Sequence, residues 1–129
     1  MRRLAVLAVF ALGLAACGGS GASKGTLKIT LGRSGGTMVP YSITIHPGGA
    51  VTGLGPSPKS ITTAEDAKLS DLVRNGFPNL KSEQCAGTFP DESATFITAL
   101  GKTVTVRGAC EPGFTKLWNA LVRALGLPS

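Results

Sequence analysis

Twice along this 129-residue chain a run of apolar–polar alternation gives way to a run of helical period, and that order leaves few architectures open. Leu27-Lys28-Ile29-Thr30-Leu31 alternates as a half-buried strand does. Gly32 to Pro40 (GRSGGTMVP) then reads as a Gly-rich connection. Tyr41 to His46 alternates again, with Tyr41, Ile43 and Ile45 on one face. Pro47-Gly48-Gly49 is a turn signal, so Ala50 to Leu54 is expected to return as the hairpin partner with Val51 opposite Ile45. Beyond Gly55-Pro56-Ser57-Pro58, Lys59-Ser60-Ile61 adds a short strand. A helix follows: Thr62 or Thr63 caps it, with Glu65 or Asp66 three residues on. Leu69, Leu72, Val73 and Phe77 form its apolar stripe, and Asn75-Gly76 and Pro78 end it.

The second block repeats the order. Leu80 to Asp91, containing Cys85 and Pro90, reads as loop or a short extended segment. Ser93 to Leu100 and Thr103 to Arg107 read as a hairpin across Gly101-Lys102, with Val104 and Val106 pointing together. Phe114, Leu117, Trp118, Leu121, Val122 and Leu125 mark the final helix, stopped by Gly126 and Pro128. The expectation is an α+β fold: an antiparallel sheet from two hairpin blocks, each followed by a helix packed on it, over residues 27–127.

The N-terminus is of another kind. Arg2 and Arg3 precede an apolar run, Leu4 to Leu14, too short for the roughly 20 residues of a spanning helix. Small Ala15 and Ala16 follow, then Cys17. Leu14-Ala15-Ala16-Cys17 resembles the lipobox of bacterial lipoproteins. That resemblance implies removal of residues 1–16, lipidation of Cys17 and anchoring at the extracytoplasmic face of the cell membrane, with two or more chains giving stable attachment. Residues 17–26 then read as the lipidated Cys and a flexible Gly/Ser tether.

With Cys17 given to lipid, Cys85 and Cys110 remain as an even pair in an exported domain, the setting in which disulfides form. A redox site would prefer Cys-x-x-Cys spacing. A zinc site needs about four ligands, against two cysteines and one histidine in the body. A disulfide is expected, worth about 3 kcal/mol in the loop-entropy model. From Cys17 onward eleven Lys/Arg oppose seven Asp/Glu. They are scattered and form no basic stripe, so no nucleic-acid partner is expected.

A further resemblance covers most of Leu27 to Leu125. Arg33-x-Gly35, Tyr41-x-Ile43-x-Ile45-x-x-x-Gly49-x-Val51, the capped helix, and Asp91 ahead of a Phe-Ile-Thr strand turning at Gly101-Lys102 are similar to a small bacterial α+β domain of unknown function, secreted or lipid-anchored. The GTFPD segment with the two cysteines and the Trp-bearing last helix resemble an actinobacterial lipoprotein branch. Both resemblances bear on fold and carry no chemistry.

Candidate chemistry is thin. His46, the lone histidine, sits on the polar face of a strand beside a turn. Gly32-Arg33-Ser34-Gly35-Gly36 lacks the lysine and trailing helix of a phosphate cradle, and there is no G-x-S-x-G elbow. Asp91-Glu92 has no second acid indicated nearby, and Trp118 lies on an apolar stripe, as core residues do. No enzyme, cofactor or metal is expected. The expectation is a lipid-anchored, non-enzymatic binding domain whose 32–40 loop and 47–49 turn present a surface to an exported or envelope protein, in one version as an inhibitor of a hydrolase. The alternatives are a small-ligand carrier, which needs a pocket, and a hydrolase.

Overall fold

The computed structural model describes residues 25–57, 59–89 and 91–128; the leader, Cys17 and the tether as far as Lys24 lie outside the described residues. In chain order the elements are β1 (Ile29–Ser34), β2 (Tyr41–Ile45), β3 (Ala50–Thr52), β4 (Lys59–Ser60), α1 (Thr63–Gly76) with a 3-10 turn at Phe77–Asn79, β5 (Glu83–Gln84), β6 (Ala94–Ala99), β7 (Lys102–Arg107) and α2 (Pro112–Ala124). They form a seven-stranded sheet in the order β4-β3-β2-β1-β6-β7-β5. The fold is α+β, with β1 between the two blocks: it pairs antiparallel with β2 on one side and with β6 on the other. Val51 faces Ile45, as the hairpin reading requires.

Two strands differ from the reading of the sequence. β1 runs on through Gly32, Arg33 and Ser34, so the connection to β2 is shorter than the Gly-rich stretch implied. Gly32 is tolerated there because β6 brings Phe96 opposite it, and the ring occupies the space a side chain would need. The 80–91 segment, expected as loop or a short extended segment, contributes β5, which pairs parallel to β7 at the edge, so the sheet is mixed where a wholly antiparallel one was expected. The Cys85 N–H donates to the Arg107 carbonyl at 2.9 Å, extending that pairing by one bond.

One face of the sheet carries Ile29, Leu31, Ile43, Ile45, Val51, Ile97, Val104 and Val106, all buried. Leu69, Val73 and Phe77 from the α1 side and Phe114, Leu117, Trp118, Leu121 and Val122 from α2 complete the core. Each of these aliphatic or aromatic groups contributes about 1.5–3 kcal/mol by leaving water. Thr62 caps α1, its hydroxyl accepting from the Glu65 N–H at 3.1 Å. The opposite sheet face is a row of threonines: Thr52, Thr44, Thr30, Thr98 and Thr103 stand in register across five strands. The Thr30 and Thr44 hydroxyls lie 3.0 Å apart and those of Thr98 and Thr103 2.8 Å. Such β-branched, hydroxylated pairs suit a sheet surface that meets water.

Two ties hold the periphery. Cys85 and Cys110 form a disulfide with Cα atoms 5.6 Å apart, joining the β5 edge to the segment that leads into α2. At the other end of the sheet, Asp66 of α1 is fully buried and its Oδ2 accepts from the Gly48 N–H at 2.8 Å. The same N–H lies 3.0 Å from Thr26 Oγ1, so one bond network gathers the β2–β3 turn, the first turn of α1 and the segment leading to β1.

Candidate functional site

The alternation that buries Ile29 and Leu31 places Arg33 on the same inner face two residues further on, at the end of the sheet. Tyr41 is its partner on β2. The helical layer reaches this end through the last turn of α2. Gly126 adopts φ 67°, and the Leu127 N–H bonds back to the Val122 carbonyl at 2.9 Å, a left-handed cap that folds Leu127 onto the sheet. An open cleft of about 420 Å³ results, lined by Arg33, Met38, Tyr41, Ile43, Leu54 and Leu127. That volume lies within the usual small-molecule range of about 300–1,000 Å³.

Arg33 is the charged group of the cleft, and the Tyr41 phenol is a second polar group in its lining. Its Nη1 lies 3.9 Å from the thioether of Met38, a weak acceptor. Its Nε is buried and has no hydrogen-bond partner among the described residues. A buried donor left unpaired costs about 1–3 kcal/mol, more when charged, which makes Arg33 a group that would gain from an acceptor.

The loop from Gly35 to Pro40 rises beside the cleft. Gly35 and Gly36 both take left-handed backbone, φ 74° and 70°. Gly36 lies against the Asp91 carbonyl and the Ser93 N–H so closely that a Cβ would stand 2.5 and 2.8 Å from them. Ser93 Oγ sits 4.0 Å from the Met38 sulfur. Pinned at this base, the loop projects two apolar side chains, with Met38 50% and Val39 85% exposed.

The remaining candidates are dispersed. The 47–49 turn lies at the far end of β2 from the loop, about 17 Å along a five-residue strand, so the two do not form one surface. His46 Nε2 is 2.9 Å from Thr52 Oγ1, and no carboxylate bonds to the ring among the described residues. Asp91 is exposed, and Glu92 accepts from the Phe89 N–H at 3.3 Å. Trp118 is buried, its ring 6.3 Å from that of Phe114. Cys85 and Cys110 are bonded to each other, and no group of three or more metal-ligating side chains occurs among the described residues. No helix among them is long and apolar enough to cross a membrane.

Sequence reasoning missed the cleft. Read as part of a glycine-rich connection, Arg33 had no face; the signal available was that Ile29, Leu31 and Arg33 continue one alternation. Comparison with protein-family models, curated proteins and solved structures gives no match to this chain.

Proposed function

We propose that this is a lipid-anchored protein of the extracytoplasmic membrane face, tethered through Cys17, whose domain binds an exported protein through the 35–40 loop in the manner of a hydrolase inhibitor. The observation that carries this reading is the exposed Met38-Val39 tip on a loop fixed at Gly36. A recognition segment already held in one shape loses little entropy on docking, and exposed apolar side chains at its tip supply the buried anchor. The chain enters β1 at Ile29 and the loop leaves it after Ser34, so the loop and the entry to the domain stand at opposite ends of a strand about 20 Å long.

A photoreactive phenylalanine analogue placed at Val39 in the full chain, illuminated in native membranes, tests this. A discrete adduct with one exported protein is expected, absent when the analogue sits at Thr103 on the threonine face. If that protein is a hydrolase, the purified chain should inhibit it and Val39→Asp should weaken inhibition at least tenfold. Identical adducts from both positions, or none, would contradict the reading. A small-ligand carrier is the second reading, favoured by the Arg33 cleft.

A further inference from the structure

We infer that the Arg33 cleft binds a single-chain anionic amphiphile, a carboxylate or phosphate head on an alkyl or prenyl tail. The inference rests on the carrier reading of this cleft, which shares Met38 with the loop tip.

Three observations converge. Arg33 sits on the inner, otherwise apolar face of β1, with its Nε buried and without a hydrogen-bond partner among the described residues. Among those residues it makes no ion pair, whereas Arg74 is matched with Asp71 at 3.3 Å. A guanidinium in that position offers a fork of donors matched to the two oxygens of a carboxylate or phosphate. Around it the walls are Met38, Ile43, Leu54 and Leu127, and they supply no carboxylate or amine. Arg33 is the one charged side chain in a mostly apolar trough whose lining also includes the Tyr41 phenol, the pattern that fixes the head of an amphiphile and leaves the tail to burial.

The size agrees. A cleft of about 420 Å³ is too small for a two-chain lipid to be enclosed, and its open mouth beside exposed Met38 would let a tail extend along the surface. The Met38 thioether and side chain are adaptable, suiting tails of more than one shape.

The test uses residues 17–129 carrying Cys17→Ser, titrated calorimetrically below micellar concentrations with four probes of one tail length: decanoate, decyl phosphate, decanol and decyltrimethylammonium. Saturable one-to-one binding of decanoate, decyl phosphate or both is expected, with decanol at least tenfold weaker and the cation weaker still. Which head binds more tightly assigns the source, a free acid or a phosphorylated lipid. Arg33→Gln should lose at least tenfold toward the anions and leave decanol unchanged, and Arg33→Lys should restore part of the loss. Leu54→Glu should abolish binding of all four while far-ultraviolet circular dichroism stays native. Equal affinity for decanol and decanoate, removed by Leu54→Glu, would overturn the anionic assignment and leave the carrier reading standing. No saturable binding of any probe would overturn both. An Arg33→Gln variant that folds and binds decanoate with unchanged affinity would also overturn the assignment.

Discussion

Gly32 and Phe96 face each other across the β1–β6 pair, and the phenyl ring fills the place where a Gly32 side chain would stand. A Cβ there would lie 2.8 Å from the ring's Cζ and would also run into the Tyr41 carbonyl of β2. The glycine is thus closed in from both neighbouring strands, and this packing carries β1 far enough to bring Arg33 to the cleft.

Gly32→Ala should therefore destabilise the domain by about 3 kcal/mol, at the upper end of overpacking costs, because two separate strands must move. Urea denaturation of the variant measures this. Adding Phe96→Ala should restore only part of the loss, since the Tyr41 carbonyl is backbone and cannot retract. Full restoration by the double variant would show that the ring alone is the constraint.

Asp66 is the second pivot. Asp66→Ala removes the side-chain oxygen that accepts from Gly48 N–H and leaves a small cavity beneath α1. A loss of about 2 kcal/mol is expected, the usual scale for removing a buried hydrogen-bond partner. Asp66→Asn keeps an acceptor oxygen and should lose less. Hydrogen exchange at the Gly48 amide gives a local readout and should accelerate in the alanine variant before global unfolding does.

The outline of the fold was legible in the chain because it is written locally. Helix α2 follows its apolar stripe from Phe114 onward, and the β2–β3 hairpin follows Pro47-Gly48-Gly49 and the Ile45–Val51 pairing. What was not legible depends on partners distant in sequence. Nothing near Gly32 announces Phe96, so the end of the strand read as loop and Arg33 lost its face. The two-residue β5 is too short for any periodicity and exists through its bonds to β7. Thr62 caps α1 as one of the two threonines expected to, whereas Asp66, read with Glu65 as a candidate to complete the capping box, turns inward to Gly48. In the candidate site, the glycine-rich stretch drew attention to the loop, but the cleft arises only once β1, β2, the segment after β3 and the residues beyond α2 meet.

The disulfide closes a separation of 25 residues. Replacing both cysteines, Cys85→Ala with Cys110→Ala, should cost about 3 kcal/mol and loosen the β5 edge first. Alkylation of the protein under non-reducing conditions should find no free thiol at either position, and two readily labelled thiols would contradict the bond.

Val39, by contrast, is 85% exposed and touches little of the core. Val39→Asp should change stability by less than about 0.5 kcal/mol, as surface substitutions do, while sharply weakening capture of the loop's partner. A large loss of stability would mean that the tip packs into the domain and is not presented to a partner.

The tether is the claim on which the compartment, the disulfide's oxidising surroundings and the exported partner all depend. Its most direct test is metabolic labelling with a fatty-acid analogue, followed by membrane fractionation of the native chain and of Cys17→Ser. The account predicts label and membrane retention in the native chain and loss of both in the variant. Equal membrane retention of the unlabelled variant would contradict it.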